Sequence, residues 1–168
     1  MMPIACACSL KRSFAAESLP AFPSASWKEA REEAESEINR DSRFEAFATD
    51  IDPKCTEIAA AAAKRAGVDD RVSVFQMNAL DIDTMGRRGT IVTNPPYGDR
   101  LLTRGEADDL YRAMGTAFSR LGRWQIYVIT QSENFQKLYG RRADKVRKLY
   151  NGMIPCYYYQ FFKNPDRK

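Results

Sequence analysis

The 168-residue sequence predicts an α/β fold, with a mostly parallel sheet closed by a carboxyl-terminal antiparallel hairpin. Three observations predict it. Short apolar runs alternate with stretches of helical period from Phe44 onward. The stretch Thr93–Gly98, reading T-N-P-P-Y-G, follows the strand-like run Thr90–Val92. Two consecutive prolines have no N–H for a ladder, so the strand ends there in a rigid corner. Near the end, Asn151–Gly152 divides two runs rich in β-forming residues, which is a hairpin signal.

Taken in order, residues 1–26 are rich in Ser, Ala and Pro without a clear period and read as an irregular remnant or linker. Ser26–Glu29 has the spacing of a capping box, and Trp27, Ala30, Ala34 and Ile38 form a helical stripe that ends near Asn39. Phe44–Ile51 is a strand ending in acid. Asp52 can cap the next helix with Pro53 at its first position, and Gly67 is a left-handed stop. Val72–Gln76 is the second strand and Thr90–Thr93 the third. A helix then runs from about Glu106 to Leu121, with Leu110, Met114, Ala117, Phe118 and Leu121 as its stripe. Trp124–Thr130 is apolar on nearly every position and therefore central in the sheet. Ser132 can cap a short helix ending at Gly140. Asp144–Tyr150 and Ile154–Phe162 flank the turn, which Pro155 is expected to lengthen. Residues 27–163 thus form one catalytic-sized unit, and 164–168 a tail.

Composition narrows the chemistry. A hydrophobic fraction of 44% with 29% charged residues is that of a globular protein, and no apolar run nears the roughly 20 residues of a membrane span. Cys6, Cys8, Cys55 and Cys156 are scattered, as free thiols of a reducing, cytoplasmic compartment are. Cys6 and Cys8 resemble half a metal site, but the chain has no histidine and no second cysteine pair, so no metal is expected. The absence of histidine also excludes Ser-His-Asp and Cys-His catalysis. Net charge is +4; residues 134–168 hold nine Lys/Arg against two Asp/Glu, and the rest 17 against 20. The basic end suits a nucleic-acid partner, although a solvated charged face has the same composition.

The candidate site lies at the strand ends, where open α/β sheets bind ligands. Asp50 closes the first strand, where an acid can accept both hydroxyls of a ribose; Asp52 follows it. Asn78 and Ala79 follow the second strand, and an amide there can bond an adenine edge. Asp50 and Asp52 also read as helix caps and Asn78 as a turn residue. Asn94, Pro95, Pro96 and Tyr97 follow the third strand. An exocyclic amine of a nucleobase is a poor nucleophile because its lone pair is delocalised. Acceptors for both its N–H groups stabilise the charge that develops on nitrogen during attack, and the Asn94 amide oxygen and Pro95 carbonyl are candidates. Tyr97 offers a face for a base swung out of its stack.

T-N-P-P-Y-G-D-R-L, together with A-T-D-I-D-P and L-Y-N-G-M-I-P-C-Y-Y-Y-Q-F-F, resembles the THUMP-associated class I methyltransferases that use S-adenosylmethionine. The likeness runs from about Lys11 to Lys163. It implies a Rossmann-like class I sheet, the cofactor S-adenosyl-L-methionine on Asp50 and Asn78, and a target base on Asn94 and Tyr97. It implies methylation of guanine N2 in ribosomal RNA; adenine N6 in DNA, the label many members carry, and a non-catalytic RNA-binding remnant are the alternatives. The family also has an amino-terminal THUMP domain and a glycine-rich cofactor loop after its first, central strand. Here no glycine precedes Gly67. The sequence is therefore expected to be a carboxyl-terminal fragment without that strand, and to bind the cofactor weakly or not at all in isolation.

Overall fold

The structure, a computed structural model, describes residues 13–21, 23–39, 41, 44–98 and 102–162. Cys6 and Cys8 fall outside them. The chain divides into two units, Met1–Asn78 and Ala79–Lys168.

In the first unit a helix, α1, covers Ser24–Ser36. It starts earlier than the sequence suggests. Pro23 is its N-cap and the Ser26 N–H already bonds the Pro23 carbonyl, so Ser26 lies inside the first turn and forms no capping box. Strand β1 (Ala46–Asp50) is shorter at both ends than the predicted Phe44–Ile51. Helix α2 (Pro53–Ala66) follows, and β2 (Val72–Gln76) pairs with β1 in parallel, from Ala46 opposite Val72 to Asp50 opposite Gln76. The ends of α2 are as expected. The Asp52 carboxylate accepts from the Lys54 N–H, and Gly67 takes φ +68° while the Gly67 and Val68 N–H groups bond the Lys64 and Ala63 carbonyls. Phe47, Ile51, Ile58 and Phe75 remain exposed, and Ala63 is the buried apolar residue of α2.

The second unit holds a four-stranded sheet, in the order β3-β4-β6-β5: β3 Gly89–Thr93, β4 Trp124–Thr130, β5 Lys145–Asn151 and β6 Ile154–Phe161. β3 and β4 are parallel, and β6 runs antiparallel to both β4 and β5. The nearly all-apolar β4 is internal, as its composition predicts. Helix α3 (Arg104–Phe118) joins β3 to β4, and the short α4 (Phe135–Tyr139) follows β4. α3 is set by a capping box, with the Thr103 hydroxyl accepting from the Glu106 N–H and the Glu106 carboxylate from the Thr103 N–H. It ends at Phe118 rather than Leu121, which falls in the following turn. α4 starts from Asn134 instead of Ser132.

The hairpin is tighter than predicted. Asn151 pairs with Ile154, so the turn is Gly152–Met153 alone, with Gly152 at φ +63°. Pro155 does not lengthen it. That residue faces Tyr150 of β5 and lies beyond Tyr157, where the pairing of β6 with β4 stops, so its missing N–H interrupts no ladder on the β4 side.

Apolar residues of α3, α4, β4 and β6 make one buried cluster: Ala107, Tyr111, Met114, Phe118, Ile126, Val128, Phe135, Tyr139, Tyr159 and Phe161, with Leu121 beside them. Phe135 is its hub. Its ring centroid is 5.1 Å from those of Tyr111, Tyr139 and Tyr159 and 6.5 Å from that of Phe161. α4 reaches this depth because Gly115 leaves room: a Cβ there would sit 2.1 Å from the Tyr139 carbonyl oxygen. Phe135→Ala should lower stability by about 3–5 kcal/mol in urea unfolding. Met153→Ala, at 95% exposure on the turn, should stay within about 0.5 kcal/mol.

Candidate methyltransferase site

The first unit brings Asp50, Asp52 and Asn78 to one end of its two strands. The Asp50 carbonyl accepts from the Met77 N–H, the residue before Asn78, and the Gln76 amide donates to the Ile51 carbonyl at 2.9 Å. Asp50 Oδ1 accepts from the Asp52 N–H at 2.9 Å, and Asp52 Oδ1 from the Lys54 N–H at 2.9 Å. Asp52 is thus occupied as a helix cap. Asp50, exposed at the end of β1, keeps its second carboxylate oxygen for a hydroxyl. Ala79 belongs to the second unit and opens a short 3₁₀ turn, Ala79–Asp81.

The second unit carries the T-N-P-P-Y-G corner. Asn94 is exposed, Pro95 is buried, and Pro96 and Tyr97 are half-buried. The Tyr97 hydroxyl donates to the Asn94 amide oxygen. Burial, followed by the nearby Cys156 thiol, pushes the Tyr97 phenol above its ordinary pKa, so it stays protonated as that donor. Among the described residues no backbone donor reaches the Pro95 carbonyl. Gly98 ends the corner at φ +88°, and a Cβ there would lie 2.9 Å from the Arg104 Cα and 3.1 Å from its nitrogen. Only glycine fits between corner and helix.

What fixes the corner is a buried chain of hydrogen bonds. The Tyr111 hydroxyl donates to the Pro96 carbonyl at 2.9 Å and meets the Thr130 hydroxyl at 2.9 Å; Thr130 Oγ1 accepts from the Ser132 N–H at 3.2 Å. A carbonyl only accepts and an amide only donates, so every proton in the chain is assigned. Ser132 N–H donates to Thr130, Thr130 to Tyr111, and Tyr111 to Pro96. Tyr111 and Thr130 are 1% and 0% exposed. Neither follows from the corner motif; the signal for Tyr111 is its place in the Ala107–Tyr111–Met114–Phe118 stripe, where a tyrosine needs a partner for its hydroxyl.

The profile of the RMKL-like methyltransferase domain family matches residues 1–160. The chain belongs to this family. It is 42% identical over 144 residues to the Bacillus subtilis protein named "Putative RNA methyltransferase YpsC", covering 84% of this chain and 37% of that protein. With the "Ribosomal RNA large subunit methyltransferase K/L" of Vibrio parahaemolyticus it shares 34% identity over 155 residues, 88% of this chain and 22% of that one. Among solved structures, that of SMU.472, "a putative methyltransferase complexed with SAH", superposes with a TM-score of 0.83 at 35% identity, over 94% of this chain and 42% of the other. The chain therefore spans about two fifths or less of each of these proteins. Its strands and helices have the Rossmann-like α/β arrangement expected of the family.

Two substitutions probe the corner. Tyr111→Phe leaves the Pro96 carbonyl without its side-chain donor and the Thr130 hydroxyl proton without its acceptor, and should cost about 1–3 kcal/mol in urea unfolding. Gly98→Ala should cost a similar amount, about 1–3 kcal/mol, through backbone strain and the clash with Arg104. A change under 0.5 kcal/mol at either position would contradict the geometry described above.

Proposed function

We propose that this chain is the methyl-transferring domain of an enzyme that acts on an exocyclic amine of a nucleobase in ribosomal RNA, with guanine N2 as the amine. The observation that carries the reading is the corner itself: the Asn94 amide oxygen and Pro95 carbonyl as two acceptors, on a backbone held by Tyr111 and Gly98. The names of the relatives from Bacillus subtilis and Vibrio parahaemolyticus support RNA, and ribosomal RNA, as the substrate class.

S-adenosylmethionine is the proposed methyl donor, since the similar SMU.472 structure holds SAH, the product it leaves. The residues present fit part of it. Asp50 has a carboxylate oxygen for the ribose hydroxyls, and Asn78 offers an amide for the adenine edge. When bound, the cofactor supplies an electrophilic methyl group. The chain's own part is to orient the amine: Asn94 and Pro95 accept its two N–H groups, and Tyr97 offers its ring to the base. No histidine base is required, because the amine proton can leave after transfer.

Asn94→Ala should lower methyl transfer by at least about 100-fold, the scale for removing one such acceptor, with cofactor affinity changed less than threefold. Tritiated-methyl incorporation into RNA and DNA oligonucleotides, with mapping of the modified base, measures this and the target together. Turnover near wild type would remove the assigned role, and incorporation at adenine of DNA alone would replace the substrate. Calorimetry of the 168-residue chain should give S-adenosylmethionine binding weaker than micromolar, because no glycine-rich turn precedes β1 in the sequence. Micromolar binding, lost in Asp50→Ala, would show that these strand ends suffice.

A further inference from the structure

The hairpin β5–β6 carries a surface that the methyl-transfer chemistry does not use. Its last residues, Ile154–Cys156 opposite Leu149–Asn151, extend past Thr130, where β4 stops pairing with β6. Three residues of strand project about 10 Å. They start beyond Thr130, whose hydroxyl bonds Tyr111, the residue that holds the Pro96 carbonyl of the corner. A fold held only by its core gains nothing from apolar groups there, yet Tyr150 is 66% exposed and Met153 95%.

On the face of the hairpin that leads into this projection, aromatic and cationic groups alternate. Tyr157 pairs across the sheet with Thr130 on one side and Lys148 on the other, and Tyr150 follows Lys148 on the same face. The Lys148 ammonium lies 5.8 Å from the centroid of each tyrosine ring. The Tyr157 hydroxyl donates to the Glu133 carboxylate, which fixes its ring. Across 141–158 there are five cations, Arg141, Arg142, Lys145, Arg147 and Lys148, and one acid, Asp144. Asp144 pairs with Arg141, and the cations of β5 are exposed, Lys148 on the face of the two tyrosines and Lys145 and Arg147 on the other.

The geometry points to this row as the docking surface for an unpaired stretch of RNA next to the target base. Resting on the reading of the corner as a nucleobase site, it names how the rest of the strand is held. Tyr150 offers an exposed ring face for stacking, and Lys148, on the same face, offers charge to a flanking phosphate. The row starts one strand from Thr130, which anchors the corner through Tyr111, and two strand spacings carry it about 10 Å away. That is the reach of a neighbouring nucleotide. A duplex keeps its base faces stacked internally and cannot use Tyr150 in this way.

The test uses the 168-residue chain, without cofactor, and two fluorescein-labelled probes: an unstructured 12-nucleotide RNA and a 12-base-pair RNA duplex, read by fluorescence anisotropy. The single strand should bind more tightly than the duplex. Tyr150→Ala should weaken it by about fivefold or more, the lower end for losing one stacked base, whereas Tyr150→Phe stays within twofold. Lys148→Ala should lower the logarithmic salt dependence by about 0.7, the single-strand value per phosphate contact. Single-strand affinity unchanged in Tyr150→Ala, a duplex bound as tightly as the strand, or no binding of either probe would overturn the proposal. Methyl transfer is read separately: its absence with the Tyr150 effect intact would remove the proposed reaction and leave the docking surface, and transfer without that effect would do the reverse.

Discussion

The Tyr111 hydroxyl is the contact on which the second unit's architecture turns. It is the place where the core becomes the site. Its ring packs against Phe135 inside the apolar cluster, and its oxygen leaves that cluster to hold the Pro96 carbonyl. A backbone carbonyl after two prolines has no ladder to join, because the corner has just left β3. Buried without a donor it would cost about 1–3 kcal/mol. Supplying that donor from α3, and orienting it with Thr130 of β4 and the Ser132 amide, locks three elements in one register. The carbonyl of Ser132 in turn accepts from the Tyr159 hydroxyl, so β6 is tied into the arrangement as well.

Rigidity matters here because of what an amide oxygen can do. An oxygen with two lone pairs can serve two donors. In this structure one position on Asn94 is taken by Tyr97, and the other remains directed by the corner's backbone. In the proposed reaction the corner must present acceptors within a few tenths of an ångström of the amine, before the methyl group moves, so that no reorganisation is needed at the moment of attack. A flexible loop holding the same residues would lose that advantage. Proline at 95 and 96 and glycine at 98 restrict the chain from within, and Tyr111 from outside.

The sequence was legible where a single local rule governs. β2 and β4 match their predicted bounds, and α2 is capped by Asp52 and stopped by Gly67 as expected, because apolar run length, an N-cap acid and a left-handed glycine each act within a few residues. It was misleading where two local rules compete. Ser26–Glu29 and Thr103–Glu106 have the same capping spacing, but Pro23 starts its helix first and leaves Ser26 inside, whereas Thr103 is itself the N-cap of its helix. Asn151–Gly152 signals a turn, yet cross-strand pairing of Asn151 with Ile154 shifts that turn by one residue. The candidate residues of the corner were visible as a motif. Tyr111 and Thr130 were not, because their role depends on partners 15 and 19 positions from Tyr111 that only the folded chain brings together.

The two units also differ in how much of their stability is their own. The sheet of the second closes over a cluster in which Phe135, Phe161, Ile126 and Val128 are fully buried. In the first, two strands of five residues carry Phe47 and Phe75, edge to face at 6.3 Å and both exposed. A two-stranded parallel pair buries too little apolar surface to offset its own chain entropy, which at about 1–2 kcal/mol per residue grows with every ordered position. The strand ends that present Asp50 and Asn78 thus rest on the weaker framework, and those that present Asn94 and Tyr97 on the stronger. Preorganisation is most demanding where the amine is held and less so where a ribose is gripped by one carboxylate. The chain's buried hydrogen bonds and packed rings are concentrated where the proposed chemistry has the smallest tolerance for error.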